Sequence, residues 1–549
     1  MGLLQYLILA ASITFGSPVH YAISLAGNFG EPRPNHFHGG LDIKTDREEG
    51  KPIFSIGDGY VSHVTIGVGG YGNAVYVHHP EGFTSVYCHL QRFSPQITAM
   101  VRKWQYQHHL AEGEIRFRPT DFPVVKGQLI AVSGNTGSSM GPHLHLEIHE
   151  TNTWNMVDPM EFFDDKITDT MAPVAHAFMA YPQKGTGVFN QLSDNQDFPF
   201  THQHLDQQFT AWGKVGFGLW ADDFMDNSEN IYGIRSTALY VDDHLVFRSD
   251  VSNVSMADNL VVNGWGDYEY FMDHYVWYMR SFLKPGIMLP VVKTDASRGI
   301  VNFDEERDYH LMYVLTDYKG NESRYSFTVR GERTAIPPAA PSRPMHTLLH
   351  NRVNNYQLPG MQLVIGHHRL IDDLEIAPKV FHLSKGLSDA YLLADRHCPL
   401  LDNSRISLRL KHPVPDSSKL YIVGKGKTDR YIGGLYKDGW VTGYTHDLGL
   451  LYELAYDDLP PYIEYVGQRT VNDSLFVWFW LSDKGSGIHH HEAYIDNQFV
   501  LFEKLDKSDV VVCKMPETPV RRKEQWRELR LIAVDNRNNK NELKTQIYY

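Results

Sequence analysis

The stretch MGPHLHLEIH, Met140–His149, holds the strongest structural signal in the chain. Its polar and apolar residues alternate, which predicts a β-strand because successive side chains on a strand point to opposite faces. His143, His145, Glu147 and His149 then share one face, and the aliphatic residues between them pack into a core. Neighbouring imidazoles can hold a metal or meet a substrate, but alternating polar residues are also typical of a solvated strand face. The stretch alone leaves both interpretations open.

Earlier segments point to metal chemistry. The segment HFHGGLDI, His36–Ile43, places a His and a carboxylate four positions apart with glycines between them. The segment TSVYCHL, Thr84–Leu90, alternates again and ends its polar face on a His. Two imidazoles and one carboxylate are a common ligand set of catalytic zinc, with a fourth position left for water. The spacings do not fit the HExxH helix of thermolysin-like enzymes, which excludes that class. The candidate residues are His38, Asp42, His89, His143 and His145.

Composition restricts the class of protein. The 549 residues suffice for about three or four domains. A net charge of -14 argues against a nucleic-acid binder, whose surface is basic. Cys88, Cys398 and Cys513 lie far apart and form no C-x-x-C pair, which excludes a cysteine-based zinc site. A disulfide between Cys398 and Cys513 is compatible with the sequence but has no support in it.

Residues 27–165 form the first predicted domain. Short strands separated by Gly-rich turns recur at a spacing of roughly 8–12 residues, which indicates an antiparallel sheet rather than a βαβ unit. These strands are Pro52–Ile56, Tyr60–Ile66, Asn73–His78 and Thr84–Leu90. The run GVGGYG, Gly67–Gly72, fits a dinucleotide-binding pattern, but the strand-like segment after it predicts a hairpin turn and no such cofactor.

Residues 91–122 break the strand pattern. Ser94-Pro95 favours a helix start, with Ser as the cap and Pro in the first turn. Apolar residues follow at helical spacing, at Ile97, Met100, Val101 and Trp104. The sequence therefore predicts a helical insertion, on which we expect His108 and His109 to be exposed.

Long β-rich stretches with polar turns follow from residue 170. A weak internal repeat relates Phe217–Asp222, Ala238–Asp243 and Tyr313–Asp317 to Val477–Asp483, Ala493–Asn497 and Leu531–Asp535. Each copy closes on a strand that ends in Asp, turn, Asn, which predicts immunoglobulin-like β-sandwich domains at 170–332 and 460–549. Residues 345–455 between them form a β-rich domain of unknown fold. Pro-rich breaks at Ile336–Pro344 and Pro460-Pro461 are predicted linkers.

Residues 1–17 contain a short apolar run that ends in Gly16 and Ser17. This run is too short to span a bilayer comfortably and resembles the apolar part of a secretory signal peptide, although the usual basic residues are missing. A buried first strand is the alternative. We expect no transmembrane segment later in the chain and no lipid anchor on an early Cys. The expected location is outside the cytoplasm, in the periplasm or cell envelope.

Three motifs together resemble the lysostaphin/LytM-type zinc endopeptidases, which cut peptide cross-links in bacterial peptidoglycan. His38-Gly39-Gly40-Leu41-Asp42 is similar to the family's His-x-Gly-x-Asp motif, and Tyr87-Cys88-His89-Leu90 to its Tyr-x-His-Leu element. Gly134–Gly137 with Gly141–His145 is similar to its closing His-x-His motif. The resemblance covers residues 27–163. The lead-in GNFGEPRPNHFH and the long β tail are similar to those of Bacteroidetes members.

The resemblance implies one zinc ion per chain, with His38, Asp42 and His145 as ligands. His89 and His143 would be the catalytic histidines that position the attacking water and stabilise the oxyanion, and which of them takes the proton is left open. The helical insertion is expected to wall one side of the cleft. Too few residues precede Gly27 for a blocking pro-segment, so any restraint is expected from the C-terminal β region. The other histidines of the domain are expected to be structural or surface residues: His36, His63, His78, His79 and His149.

The substrate implied is a peptidoglycan peptide, cut at D-Ala–diaminopimelate bonds in a Gram-negative source and at glycyl bridges otherwise. A catalytically inactive LytM-like protein that binds and regulates is the alternative function, although all five motif residues are present. The C-terminal β domains are also compatible with docking of an envelope partner, since a sandwich fold alone does not establish function.

Overall fold

The computed structural model describes residues 15–67, 69–339 and 346–549. These residues are mainly β-strand, and nearly all of their strand pairs are antiparallel. The predicted fold class is thus confirmed: an antiparallel first domain with a helical insertion, followed by further β domains. Four large hydrophobic cores follow one another along the chain.

The first domain is built around the strand that carries the paired histidines. Its strands are β1 (Leu25–Gly27), β2 (Pro32–Arg33), β3 (His36–Phe37), β4 (Gly40–Lys44), β5 (Pro52–Phe54), β6 (Gly59–Ile66), β7 (Ala74–His78), β8 (Phe83–Cys88), β9 (Leu90–Phe93), β10 (Gly113–Arg116), β11 (Pro123–Val124), β12 (Leu129–Ser133), β13 (His143–Glu150) and β14 (Met156–Val157). The main sheet has the order β1-β4-β13-β8-β7-β6-β10, so β13 lies between β4 and β8. A smaller sheet has the order β5-β12-β9.

The aliphatic face of β13 forms part of the core, as predicted. Leu144, Leu146 and Ile148 are fully buried. Leu144 lies opposite Ile43 of β4, and Leu146 lies opposite Leu41. Each fully buried aliphatic side chain stabilises the fold by about 1.5–3 kcal/mol, so this face holds the sheet in one register.

The four strands predicted between Pro52 and Leu90 are present, and the last of them is interrupted. Strand β8 ends at Cys88, and β9 begins at Leu90. His89 between them has a φ of 59°, in the left-handed region that a non-glycine residue rarely adopts. This conformation turns the chain at the point where the predicted catalytic His89 lies.

The insertion after β9 contains a helix and then returns to the sheet. Helix α1 (Pro95–His108) begins where predicted, but the Ser94 hydroxyl makes no capping hydrogen bond. Ile97 and Val101 are buried, and His108 is exposed, as predicted. Strand β10 then pairs antiparallel with β6, so the insertion extends the edge of the main sheet.

The glycine-rich run Gly67–Gly72 connects β6 to β7, which pair antiparallel with Thr65 opposite Ala74. The described residues of this run therefore form the predicted hairpin connection. A dinucleotide fingerprint would have to lead into a helix instead.

The region behind the first domain contains one large sheet. Its elements are β15 (Val174–Phe189), β16 (Gln196–Pro199), β17 (His204–Asp222), β18 (Ser236–Val241), β19 (His244–Asp250), β20 (Asn253–Val254), α2 (Val262–Trp265), α3 (Tyr268–His274), β21 (Met279–Arg280), β22 (Val292–Thr294), β23 (Val301–Phe303), β24 (Asp308–Thr316) and β25 (Glu322–Gly331). The sheet has the order β16-β15-β17-β25-β24-β18-β19-β22. It is continuous because β17 pairs with β15 and, through its first half, in parallel with β25.

The next region has two five-stranded sheets around one core, and a further two-stranded sheet. Its strands are β26 (His346–Leu348), β27 (Asn354–Leu358), β28 (Met361–Ile365), β29 (Leu374–Ile376), β30 (Lys379–Phe381), β31 (Ala390–Leu392), β32 (Pro399–Arg409), β33 (Leu420–Lys425), β34 (Arg430–Gly433), β35 (Leu435–Lys437), β36 (Trp440–Asp447) and β37 (Leu451–Tyr456). The orders of the five-stranded sheets are β27-β28-β32-β36-β35 and β30-β31-β37-β33-β34, and β26 and β29 form the two-stranded sheet. Both five-stranded sheets contribute to a shared hydrophobic core.

The last region also has two sheets around one core. Its strands are β38 (Tyr462–Val471), β39 (Ser474–Ser482), β40 (Ile488–Ile495), β41 (Gln498–Val500), β42 (Glu503–Lys504), β43 (Val510–Lys514), β44 (Trp526–Asp535) and β45 (Lys540–Tyr548). The sheet orders are β38-β39-β43-β42 and β41-β40-β44-β45. Short 3-10 helices occur at Pro159–Phe162, Asp164–Lys166, Met256–Val261, Ser417–Lys419 and Met515–Glu517. The immunoglobulin-like nature of this region and of residues 170–332 stays a prediction.

Several smaller expectations concern the rest of the chain. The predicted signal peptide comprises residues 1–17, and its residues 1–14 lie outside the described part of the chain. Phe15 is described and is buried against His79 and Phe162. The predicted linker Ile336–Pro344 lies outside the described residues from residue 340 onward.

All three cysteines are free. In the described part of the chain, no helix combines the length and apolar character that crossing a membrane requires.

The last region folds back onto helix α1. Both terminal nitrogens of Arg102 donate to the carboxylate of Glu503, at 2.6 and 2.8 Å. The ring of His109 stacks on Phe499, with centroids 4.4 Å apart and planes 6° from parallel. The insertion of the first domain is therefore a docking surface for the end of the chain.

We predict that Arg102 and Glu503 are energetically coupled by about 1 kcal/mol, the upper range for a partly exposed pair, because the contact is bidentate. The coupling is measured by a double-mutant cycle with Arg102→Ala and Glu503→Ala, using urea unfolding of the full chain. Arg118→Ala serves as the control, since Arg118 pairs only locally with Asp121. Strict additivity of the two single changes would show that the contact contributes nothing.

Candidate metal centre

The fold brings all five predicted site residues to one place. His145 on β13 lies opposite Asp42 on β4 and opposite Cys88 on β8. His38 precedes β4, His143 begins β13, and His89 follows Cys88 directly. Neighbouring strands of one sheet therefore hold residues that are distant in sequence within contact range.

Three of these residues converge on one point. His38 Nε2 lies 2.9 Å from His145 Nδ1 and 3.0 Å from Asp42 Oδ1. His145 Nδ1 lies 2.8 Å from the same Asp42 oxygen. All three side chains are buried. These are the ligands that the resemblance assigns to zinc.

The donors and acceptors of this cluster fit a bound cation. His38 Nδ1 donates to the carbonyl oxygen of Asn28 at 2.5 Å, which leaves a lone pair on its Nε2. His145 Nε2 donates to Glu147 Oε1 at 2.8 Å, which leaves a lone pair on its Nδ1. Two lone pairs and a carboxylate oxygen thus face one another, an arrangement that a cation stabilises. Two imidazoles and one carboxylate match the ligands of catalytic zinc.

Glu147 is the outer partner of the metal-facing His145. Its carboxylate also accepts from His149 Nε2 at 2.6 Å and from the Tyr71 hydroxyl at 2.8 Å. Burial by itself would raise the pKa of Glu147, but these histidine contacts outweigh it and hold the pKa well below its ordinary value. Glu147 is therefore ionised and fixes the ring orientation of His145, as carboxylates behind metal-bound histidines commonly do.

Asp42 is held as a carboxylate from two sides. Burial would raise its pKa, but the charge of His38 and hydrogen bonds from His143 and His145 lower it well below the ordinary value. Its second oxygen, Oδ2, accepts from Arg33 at 2.9 Å.

The carboxylates around His145 act on its own charge. Burial would lower the pKa of His145, yet the hydrogen bonds to Asp42 and Glu147 raise it to about 9. The carboxylates of Asp42 and Glu147 thus favour positive charge at Nδ1, either a proton or a metal ion that takes the place of the proton on the Nδ1 lone pair.

His89 and His143 stand beside this cluster with their Nδ1 atoms already used. His89 Nδ1 donates to the Thr136 carbonyl at 2.8 Å, and His143 Nδ1 donates to the Gly141 carbonyl at 2.8 Å. The two rings are 4.9 Å apart between centroids, and His143 Nε2 lies 3.2 Å from Asp42 Oδ1. The Nε2 atom is therefore the one left on each ring for chemistry, and that of His143 already contacts the Asp42 carboxylate.

His89 is neutral in this setting. Burial is the largest cause and, with the nearby charges of His145 and His143, lowers the pKa of His89 to about 3. A neutral imidazole with a donor at Nδ1 has a lone pair at Nε2 and can accept a hydrogen bond there.

The remaining histidines of the domain lie outside the metal cluster. His36 is exposed, His63 stacks on Tyr76, and His79 is buried with its ring bonded to Ser85 and the Asp58 carbonyl. His149 differs, because it contacts Glu147 behind the ligand His145.

No sequence motif predicts a role for Glu147. The strict alternation had already placed it on the metal-ligand face, and a carboxylate two residues beyond a ligand histidine was the available signal. The backbone carbonyls of Asn28, Thr136 and Gly141, which accept from the site histidines, had no such signal. Every residue type has a backbone carbonyl, so the sequence does not mark the ones that are used.

The end of the chain walls the cleft near these residues. Lys507 Nζ donates to the carbonyl of Gly137, next to the Thr136 carbonyl that holds His89. Gly137 has a φ of 73° and contacts Gly72 so closely that a Cβ would clash with backbone at 2.4 Å. An open groove of about 370 Å³ runs from Gly137 along Trp480 and the segment 504–509. The last region thus contacts the first domain at Gly137, and the wall expected from α1 stays a prediction.

Comparison with known families agrees with the motifs. Residues 36–107 match the sequence profile described as "Peptidase family M23", and residues 345–457 match the profile described as "Zu5-like domain". The first domain is a peptidase M23 domain of the lysostaphin/LytM type, as its three motifs predict. The matched segment includes His38, Asp42 and His89 and ends before β13.

Two curated relatives share this part of the chain. An "Uncharacterized metalloprotease" of Haemophilus influenzae is 34% identical over 112 residues, which are 20% of this chain and 18% of that protein. The "DD-carboxypeptidase/endopeptidase Mpg" of Neisseria meningitidis serogroup B is 34% identical over 155 residues, which are 28% of this chain and 29% of that protein. This chain therefore spans less than a third of the length of these relatives.

Solved structures of similar proteins cover the same region. A zinc containing peptidase from Vibrio cholerae is 27% identical, with 27% of this chain and 40% of that chain covered and a TM-score of 0.20. The catalytic domain of lysostaphin from Staphylococcus simulans is 24% identical, with 25% of this chain and 89% of that chain covered and a TM-score of 0.19.

We predict that Glu147→Gln weakens zinc affinity about 10- to 100-fold, the usual effect of removing such an outer partner. The neutral amide no longer fixes His145 with a charged hydrogen bond and cannot accept from all three partners. Affinity is measured by competition with a chromogenic chelator. Glu150→Gln, on the same strand but paired with Thr153, is the matched control. Equal affinities of Glu147→Gln and the wild type would contradict this role.

Proposed function

We propose that this protein is a zinc-dependent endopeptidase that hydrolyses peptide cross-links of bacterial peptidoglycan. The observation that carries the proposal is the buried convergence of His38, Asp42 and His145 beside His89 and His143, whose Nδ1 atoms are held by backbone carbonyls. The M23 peptidase domain and the relatives named metalloprotease and DD-carboxypeptidase/endopeptidase support it.

We assign His38 Nε2, Asp42 Oδ1 and His145 Nδ1 as the atoms that would hold one zinc ion per chain. When bound there, zinc supplies Lewis acidity for the scissile carbonyl and for an attacking water. The protein supplies the ligand orientation through Asn28, Glu147 and Arg33, which contact the three ligands from behind.

The two further histidines perform the proton chemistry. A neutral His89 can accept a hydrogen bond from the attacking water through Nε2 and so orient it, because its Nδ1 already donates to Thr136. His143 can donate a hydrogen bond from Nε2 to a developing oxyanion once it is protonated, while Gly141 holds its orientation. The opposite division of labour uses the same geometry, since both rings present the same atom.

Exchanging single histidines tests this assignment. We predict that His145→Ala loses both zinc and cleavage of muropeptides, since a ligand is removed. His143→Ala and His89→Ala should keep zinc but lose about 10²–10⁴-fold in cleavage rate, the usual range for a general acid or base. Metal content is measured by mass spectrometry of the purified proteins, and cleavage by separation of the products.

His63→Ala is the matched control, because His63 stacks on Tyr76 away from the cluster and should keep zinc and activity. A fully active His145→Ala variant would contradict the ligand assignment. A zinc-loaded wild type that leaves every cross-link intact would favour the alternative, a catalytically inactive LytM-like regulator of cell-wall hydrolysis.

We propose the D-Ala–diaminopimelate cross-link as the bond that is cut. Support comes from the Neisseria relative, which is named DD-carboxypeptidase/endopeptidase, and from the resemblance to Bacteroidetes members. We expect digestion of diaminopimelate-type sacculi to release uncross-linked peptides identified by mass, with glycyl-bridged sacculi left intact as the control. Release of glycyl peptides alone would identify the other substrate class.

This substrate places the protein outside the cytoplasm, in the periplasm or cell envelope. The contacts of Lys507 with Gly137 and of Glu503 with Arg102 favour a role of the last region at the cleft itself. The β domains between the first domain and the last region are proposed to hold an envelope partner. The open groove beside Trp480 begins at Gly137 and offers space for the rest of a branched peptide.

A further inference from the structure

Three buried carboxylates meet far from the zinc cluster, at the start of the second region. Asp169 lies in the segment that connects the first domain to β15, Asp223 directly follows β17, and Asp317 directly follows β24. One oxygen of each lies within 4.8 Å of the others. The three residues are 8%, 1% and 3% exposed, respectively. Like charges at such distances in a buried site repel each other strongly unless a cation or protons intervene.

The protein's own hydrogen bonds leave one of these carboxylates incompletely satisfied. Asp317 accepts from the backbone and side-chain nitrogens of Asn321, at 2.8 and 2.7 Å, and Asp169 accepts from Met171 N at 3.0 Å. Asp223 Oδ1 is buried and has no hydrogen-bond partner among the described residues. A buried polar atom without a partner costs free energy, so a missing ligand is the simplest account of this oxygen.

The charges acting on Asp223 are negative. Burial is the largest cause, followed by the charges of Asp317 and Asp169, and together they raise the pKa of Asp223 to about 8. Burial also raises the pKa of Asp169, with Asp317 adding to it. Positive charge between the three carboxylates would relieve this repulsion.

The last region repeats the arrangement with a difference. Asp457, Asp483 and Asp535 lie at the corresponding positions, and their oxygens also lie within 4.8 Å of one another. Asn539 bonds to both oxygens of Asp535, as Asn321 does to Asp317. In this copy, backbone N–H groups of Gly485, Ser486 and Gly487 donate to the carboxylates of Asp483 and Asp457. The N–H groups thus supply partial positive charge, whereas Asp223 Oδ1 in the first copy lacks a donor.

We propose that Asp169, Asp223 and Asp317 bind a calcium ion at the junction between the peptidase domain and the β domain behind it. The donor atoms are all oxygen, which suits hard cations and not zinc. Calcium fits better than magnesium, because magnesium keeps several of its waters and these carboxylates are buried. The expected affinity is that of extracellular calcium modules, about 10⁻⁴–10⁻³ M.

This site would stiffen the segment that supports the zinc ligands. Asp223 pairs through its backbone with Tyr232, whose hydroxyl donates to the Leu25 carbonyl at 2.8 Å. The next residue, Gly233, exchanges two hydrogen bonds with the side chain of Asn28, at 2.8 and 2.9 Å. The carbonyl of Asn28 in turn holds His38. A cation at Asp223 therefore anchors one end of the loop 223–233. The other end of this loop, Gly233, supports the zinc ligand His38 through Asn28.

The test uses the whole 549-residue chain, loaded with zinc, and calcium alone as the probe. We expect equilibrium dialysis to show one calcium fewer per chain in Asp223→Asn than in the wild type, with zinc content unchanged. Calcium should also raise the unfolding temperature of the wild type relative to the same protein in the calcium chelator EGTA, and raise that of Asp223→Asn less. Asp222→Asn is the matched control, because the Asp222 carboxylate pairs with His176 instead and should leave calcium uptake unchanged.

Equal calcium uptake by the wild type and Asp223→Asn would overturn the proposal. So would the absence of uptake by the wild type at millimolar calcium, because the carboxylates would then share a proton instead of a cation. In EGTA, Asp223→Asn should be at least as stable as the wild type, because it removes a charge from a repulsive cluster. A variant that unfolds in EGTA would show that this carboxylate serves the fold without a cation, and would equally overturn it. Asp317→Asn should lose the same equivalent of calcium, which separates the site from an effect of one side chain.

Discussion

The antiparallel pairing of β13 with β4 is the constraint on which the rest of the structure depends. It sets His145 opposite Asp42 and Leu146 opposite Leu41. Side chains on a strand alternate with a period of two, so a slip of one residue would turn the imidazole into the core and the leucine into the cleft. Burial of the aliphatic face thus fixes the geometry of the metal face, and the stability of the sheet and the chemistry of the site have the same origin.

The polar face of β13 is buried almost as deeply as the aliphatic one, which is tolerable only because its polar atoms have partners. Glu147 accepts from His145, His149 and Tyr71, and Asp42 accepts from Arg33. Buried carboxylates are costly when unpaired, and here hydrogen bonds to histidines and arginine offset that cost. The result is a set of ligand atoms whose orientation is fixed before a metal arrives.

Support for the site comes from well outside the first domain. Gly233 of the second region holds Asn28 behind His38, and Lys507 of the last region holds Gly137 beside the carbonyl that orients His89. The last region also returns to helix α1 through Glu503. The domains behind the peptidase domain are therefore part of the framework of the cleft, and the acidic cluster at Asp223 lies where one of these connections begins.

Local sequence patterns were sufficient for the mainly β fold, the central histidine strand, the hairpin at Gly67–Gly72 and the start of α1, because period and turn residues are encoded within a few positions. They also selected the five candidate residues that the fold brings together, since the three motifs are short and specific, while the roles of these residues stay proposals. Tertiary structure alone decided which ring nitrogen faces the cluster, the contact of Glu147 behind His145, the break of the chain at His89 and the docking of Glu503 on Arg102. These features rest on contacts between residues that are distant along the chain or on backbone atoms without a residue type, and a local pattern contains no information about either.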